Sequence, residues 1–200
     1  MQDTALVLLA AGRSARLGTP KQLLMHEGRS FVRRAASTAI EADMGRVYVV
    51  LGAAANEVSK ELEGLPVTTM VNEGWEEGMG SSIRRALEMI LTGSIHPERI
   101  LVMVCDQPKV NSDLLRELAD RMVGSGKPVV ACRYGDVSGT PAVFDRTMYP
   151  MLLELCGDRG AGKLIASMPD RVETVDFPAG SEDIDTMEDY QRFQTSTQGI

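Results

Sequence analysis

Apolar runs that close on turn residues alternate along this chain with stretches whose apolar positions recur at helical spacing. The first run, Leu6-Val-Leu-Leu-Ala-Ala11, stops at Gly12 and reads as a buried strand. In 30–43, Phe31, Ala35, Ala36, Ala39 and Ile40 share a helical face, and 46–51, rich in β-branched and aromatic residues, is a second strand. Residues 56–62 form a short helix and 67–71 a third strand. Residues 81–91 follow as a helix with Ile83, Ala86, Leu87 and Ile90 on one side. The run 99–105 is almost unbroken, which predicts a central strand covered on both faces. A helix over 111–123, capped by Asn111 or Ser112, comes next. A strand over 128–133, helices over 146–155 and 160–168, a strand over 172–175 and a closing helix over 186–193 complete the pattern.

Strands alternating with helices throughout predict an α/β fold: three layers around a mostly parallel, doubly wound sheet. Ligands bind such sheets beyond the carboxyl ends of strands, which groups the loops after Leu9, Val71, Cys105 and Arg133. No repeat, low-complexity tract or linker interrupts the pattern. It reads as a single domain over 1–194, with 195–200 as a flexible tail.

Charge narrows the function. With a net charge of −7 and a pI near 4.9, the chain has no broad basic face, so a nucleic-acid partner is not expected. Cys105, Cys132 and Cys156 are odd in number and lack metal-ligand spacing, which suits a reducing, cytoplasmic compartment better than a disulfide framework or a zinc site. No apolar stretch is long enough to cross a bilayer, and the first residues suit no signal peptide, so no membrane association is expected. His26 and His96 stand alone and receive no role.

Against that acidic background, the loop after the first strand carries Arg13, Arg16 and Lys21 with no carboxylate between Asp3 and Glu27, a local charge of about +3. Gly12 and Gly18 let backbone N–H groups approach a ligand closely. A cationic loop at the end of a buried strand suits a polyphosphate. It is not a P-loop, because Thr19 and Pro20 separate Gly18 from Lys21, and no Gly-x-Gly pair marks a dinucleotide fold.

Three further segments carry chemistry. In 72–82, Gly78 and Gly80 free the backbone ahead of Ser81 and Ser82 at a helix start, and Trp75 is read as packing. Asp106, ending the central strand in Cys105-Asp106-Gln107-Pro108, reads either as a Mg²⁺ ligand, since a carboxylate there needs a cation or donors, or as a helix-cap or turn carboxylate. Cys105 is read as a small buried residue. In the acidic run 181–189, Asp185 and Glu188 are spaced as a capping box. Gly139-Thr140-Pro141 and 157–161 read as loops.

Leu9-Ala10-Ala11-Gly12-Arg13-Ser14 with Arg16, Gly18 and Lys21 resembles the signature of nucleotidyltransferases that activate sugars and cofactors. Within that Rossmann-like fold it is most similar to the molybdenum cofactor cytidylyltransferases. The resemblance extends from Leu6 to Asp189, with Met187 standing where the family has proline. It implies transfer of CMP from CTP to a molybdopterin-type cofactor with release of pyrophosphate, and a transient contact with a molybdenum hydroxylase. It further implies that Leu9, Ala10, Ala11, Gly12, Arg13, Ser14, Lys21, Gly80, Ser81 and Ser82 bind the nucleotide, with Lys21 and Arg13 catalytic. The metal, Mg²⁺ or Mn²⁺, falls to Asp106 and Asp185 with Asp183 as substitute, and the acceptor to Gly139, Thr140, Pro141 and Asp158. Guanylyl-transferring relatives have Gly-Gly where this chain has Ala11-Gly12, which argues for cytosine because a Cβ would crowd a purine. Two alternatives stay open: GTP or a sugar phosphate on the same fold, and a non-catalytic carrier of the finished cofactor.

Overall fold

The computed structural model describes residues 3–14, 17–94, 96–157, 159–182 and 184–197. Among them a seven-stranded sheet runs in the order β5-β4-β1-β6-β8-β7-β9. Its strands are β1 (Thr4–Ala10), β4 (Val47–Leu51), β5 (Val67–Val71), β6 (Arg99–Val104), β7 (Val129–Tyr134), β8 (Val137–Asp145) and β9 (Val172–Asp176). β2 (Met25–His26) and β3 (Arg29–Ser30) form a separate small hairpin. Within the seven-stranded sheet every pairing is parallel except those of β8, which lies antiparallel to both β6 and β7. The mostly parallel α/β reading of the sequence is borne out.

β1 reads as a continuous apolar run because both of its faces are covered. Leu6 and Leu8 point into a core shared with α1 (Phe31–Glu41) and α4 (Ser112–Ser125), while Val7 and Leu9 join the opposite core with α3 (Met79–Thr92), α5 (Tyr149–Leu153) and α6 (Ala161–Ala166). Each such side chain contributes about 1.5–3 kcal/mol of burial, and this fixes where the end of β1 presents its loop. Asn111 caps α4 by accepting from the Leu114 N–H at 2.9 Å.

Three expectations are corrected. Gly139-Thr140-Pro141 lies within β8 and not in a loop. The register slips there, Ala131 facing Ala142 but Cys132 facing Gly139, so Thr140 and Pro141 form a bulge in which proline's missing N–H breaks no ladder bond. The predicted helix over 146–155 is a single 3₁₀ turn, Arg146–Met148, followed by the short α5. The capping box of the last helix, α7 (Met187–Thr197), is shifted by one residue: the Thr186 N–H donates to Asp189 at 2.8 Å, and the Asp189 N–H donates back to Thr186 Oγ1 at 3.1 Å.

A third apolar cluster, Leu17, Leu24, Phe31, Ile184 and Phe193, pins α7 beneath the cationic loop. Phe31 and Phe193 meet edge to face at 6.0 Å. This anchors Asp185, directly after Ile184, next to the end of β6, where the Ile184 N–H donates to the Asp106 carbonyl at 3.3 Å.

Candidate functional site

β1 and β6 are parallel neighbours whose carboxyl ends finish together, Leu9 opposite Val104. Beyond them opens a cleft of about 310 Å³ lined by Leu9, Ala11, Gly12, Arg13 and Lys21 from one side, Asp106 from below, and Trp75, Met79 and Ser82 from the other. It is the crevice that strand topology predicts.

The cationic loop is closed by the turn that follows it. Pro20 precedes a 3₁₀ turn, Lys21–Leu23, whose first N–H donates to Ser14 Oγ at 2.9 Å, with Ser14 in the left-handed region at φ 54°. The carboxamide of Gln22, only 2% exposed, donates to the carbonyls of both Ala10 (3.0 Å) and Gly12 (2.8 Å). With those carbonyls engaged, the N–H groups of Gly12, Arg13 and Ser14 have no acceptor among the described residues. Successive unpaired N–H groups in such a loop make an anion cradle. Arg13, exposed at its edge, has no ion-pair partner among the described residues.

Lys21 reaches across the floor of the cleft and pairs with two carboxylates, Asp106 and, at 3.1 Å, Asp185. Burial works against its charge, but the field and hydrogen bond of Asp106, reinforced by Asp185, outweigh it and hold its pKa above the usual lysine value. Lys21 is therefore a fixed cation at neutral pH. Two carboxylates that already converge on one cation offer the hard oxygen donors a divalent ion needs, with room for substrate phosphate to complete the shell. The residues present fit such an ion. Cys105 is buried and its thiol is pushed far above the ordinary range by desolvation, so it is inert.

Across the cleft, Asn72 organises the loop that starts α3. Its side chain donates to the hydroxyls of Ser81 (2.8 Å) and Ser82 (3.0 Å) and accepts from the Gly74 N–H at 3.1 Å. Ser81 in turn donates to the Gly78 carbonyl at 2.8 Å, so its hydroxyl serves the loop, whereas Ser82 lines the cleft. Trp75 packs against the core and also lines the cleft. Gly80 is not among the lining residues. A Cβ there would stand 2.7 Å from the Arg159 carbonyl, so this glycine lets α3 abut Leu155, Cys156 and Arg159.

Gly139 and Thr140 border a second cavity, of about 590 Å³, while Pro141 is buried and outside its lining. Arg16, Asp158 and Asp183 lie outside the described residues. Sequence reasoning did not single out Gln22, Asn72, Gly52 or Met79. Asn72 was visible only as part of a motif, and Gln22 only as a polar residue next to Lys21.

Residues 6–172, most of the chain, match the family described as a MobA-like NTP transferase domain. The chain belongs to this MobA-like family of nucleotidyltransferases. A curated relative, nicotine blue oxidoreductase of Paenarthrobacter nicotinovorans, is 32% identical and the match covers 93% of this chain and 94% of that protein. Rv0371c of Mycobacterium tuberculosis H37Rv, a crystal structure, is 34% identical over 96% of this chain and 97% of that one, with a TM-score of 0.77. A complex of Rv0371c with manganese superposes with a TM-score of 0.79 at 33% identity, covering 97% and 99%. This MobA-like chain is thus similar over nearly its full length to proteins of its own size. No helix among the described residues is long and apolar enough to cross a membrane.

Proposed function

We propose that this MobA-like transferase moves CMP from CTP onto the terminal phosphate of a molybdopterin-type cofactor, releasing pyrophosphate. The observation that carries this reading is the placement of Lys21 between Asp106 and Asp185 on the floor of a cleft edged by unpaired N–H groups. The choice of cytosine and of a molybdenum cofactor rests on the motif resemblance, with Ala11 in the cleft wall.

An acceptor phosphate is largely a dianion at neutral pH, so no general base is required, and the task is to overcome repulsion between two anions. An acceptor phosphate oxygen bonds to the α-phosphorus as its bond to the bridging oxygen breaks, and pyrophosphate leaves with that electron pair. The cradle of Gly12, Arg13 and Ser14 holds the departing phosphates, Arg13 neutralises them from the edge, and Lys21 fixes the α-phosphate in line. Mg²⁺ or Mn²⁺ held by Asp106 and Asp185 would supply Lewis-acid neutralisation of the same oxygens. Ser82, kept in place by Asn72, faces the base. The receiving molybdenum hydroxylase and a cytoplasmic site of action belong to the same proposal.

The test is the shift in thermal midpoint with CTP, GTP, UTP and ATP, each with and without Mg²⁺. A ligand at about 100 times its Kd stabilises by roughly 2.7 kcal/mol. A shift selective for CTP and strengthened by Mg²⁺, followed by pyrophosphate release on adding acceptor, is expected. A GTP preference would overturn the base assignment, and binding without pyrophosphate release would favour a carrier. The name of one relative raises a second reading, a reductase, so NADH and NADPH are included. No Gly-x-Gly pair follows β1, and no shift with either is expected.

A further inference from the structure

Two glutamates stand side by side in the turn that enters α3, and their carboxylates go to different places. Trp75–Glu77 is a single 3₁₀ turn, closed by the Gly78 N–H donating to the Trp75 carbonyl at 3.1 Å. With three residues per turn, successive side chains leave it about 120° apart. Trp75 packs against the core. Glu77 turns to Arg84, which meets its carboxylate at 2.7 Å and also donates to the Leu155 carbonyl at 2.6 Å. Glu76 takes the third direction and lines the cleft. Its carboxylate has no hydrogen-bond or ion-pair partner among the described residues.

Four charged side chains line the cleft, and they are unevenly placed. Lys21 and Asp106 pair with each other on the floor, Arg13 stands at the edge of the N–H cradle, and Glu76 shares the opposite wall with Trp75 and Ser82. A nucleotide is oriented by that arrangement. Its phosphates belong at the cradle and are repelled by Glu76, so the end that reaches Glu76 must bring hydrogen-bond donors, because an ionised carboxylate only accepts. On the same wall the Ser82 oxygen accepts from the Asn72 side chain at 3.0 Å, which leaves its own proton to donate. The pyrimidines differ in what they offer a carboxylate. Cytosine presents an exocyclic amino group, with one hydrogen on the C5 side clear of any acceptor. Uracil has a carbonyl oxygen at that position, and its ring N–H lies between two carbonyls that repel a carboxylate.

Taking the cleft as the nucleotide site and Ala11 as the residue that crowds a purine, both as proposed above, we infer that Glu76 is a specificity-determining residue: it accepts a hydrogen bond from the amino group of the pyrimidine and thereby selects CTP against UTP. Glu77, one position on, fixes the turn through Arg84 and does not touch the base. The selectivity thus divides between two residues on facing walls, Ala11 setting the size of the ring and Glu76 the group on its edge.

The experiment measures the affinity of the intact chain for CTP, UTP and dCTP, each with Mg²⁺, by calorimetry, in wild type, Glu76→Gln and Glu73→Gln. Glu73 is exposed in the same loop and lies outside the cleft lining, so its variant removes the same charge away from the site. Wild type should bind CTP about tenfold or more tightly than UTP. Glu76→Gln should bring the two nucleotides nearly level, since a carboxamide donates to a carbonyl as readily as it accepts from an amino group. Glu73→Gln should leave the ratio as it is in wild type. Equal affinities in wild type, a ratio unmoved by Glu76→Gln, or a ratio moved as far by Glu73→Gln would each overturn the inference while leaving the nucleotide site in place. A Glu76→Gln protein that loses its preference between CTP and dCTP, yet keeps CTP over UTP, would assign Glu76 to the sugar and overturn it as well. Wild type binding none of the three would remove the nucleotide site itself, and the inference with it.

Discussion

Lys21 and Asp106 are 85 positions apart in the chain and form an ion pair at the point where β1 and β6 end side by side. The pair joins a residue from the cationic loop to one from the strand terminus, and Asp185 completes it from the segment anchored by Ile184. Replacing Lys21 with Ala should lower turnover by about 10²–10³, the scale of one preorganised charge donor. The fold should persist, since the side chain is partly exposed and not part of either apolar core. Turnover equal to wild type, measured as pyrophosphate release, would remove Lys21 from the reaction.

The same pair has a pH signature. A lysine whose folded pKa is raised contributes stability fully below its unfolded value near 10.5 and loses it as pH rises through the folded value. The difference in thermal midpoint between wild type and Lys21→Met should therefore be flat from about pH 7 to 9 and shrink above about pH 10.5. A difference that already collapses between pH 7 and 9 would mean that Lys21 is not held as a cation by its neighbours.

Asp106→Ala should remove both activity and its dependence on divalent metal, because a single remaining carboxylate, Asp185, is a weak site for Mg²⁺. Turnover under saturating Mg²⁺ or Mn²⁺, together with metal binding followed by calorimetry, checks this. A variant that stays active and still requires the metal would place the ion elsewhere.

Much of this arrangement was legible in the sequence, and the gaps have physical causes. Buried strands announce themselves as unbroken apolar runs, so β1, β6 and the loops at their ends could be located before any coordinates. β8 could not, because Gly139-Thr140-Pro141 has the composition of a turn while serving as a bulge, and local composition does not distinguish the two. The offset capping box has a similar origin. Asp185 and Glu188 have the right spacing, but so do Thr186 and Asp189, and the second pair wins, leaving Asp185 to face Lys21. Gln22 gave no periodic signal at all. Its importance lies in two carbonyls that only the folded loop brings within reach.

That clamp is open to test by an isosteric change. Gln22→Glu keeps the shape but sets an acceptor against the carbonyls of Ala10 and Gly12 in a buried place, so the loop should lose its fixed form when the new side chain is ionised. The variant should be destabilised by about 1–3 kcal/mol, more at pH 8 than at pH 5, where protonation restores one donor. Nucleotide KM should rise more than kcat falls, since the loop binds before it reacts. Equal stability and equal KM at pH 8 would show that the clamp is dispensable.

Gly52 supports the same loop from the end of β4. A Cβ at this position would lie 2.4 Å from the Ala11 carbonyl oxygen and 2.7 Å from the Ala11 Cβ, and the neighbouring Ala53 N–H donates to that same carbonyl at 3.1 Å. The obstructing oxygen is backbone, so it cannot swing aside as a flexible side chain could. Gly52→Ala must therefore push the loop toward the cleft or part β4 from it, at a cost of about 1–3 kcal/mol for overpacking. Thermal unfolding should register that loss, and nucleotide KM should rise because Ala11 and Gly12 move. Adding Ala11→Gly removes the Cβ contact and leaves the carbonyl contact, so the double variant should recover stability only in part. Full recovery would trace the strain to the methyl group alone, and a Gly52→Ala protein as stable as wild type would mean that the loop and β4 do not approach this closely.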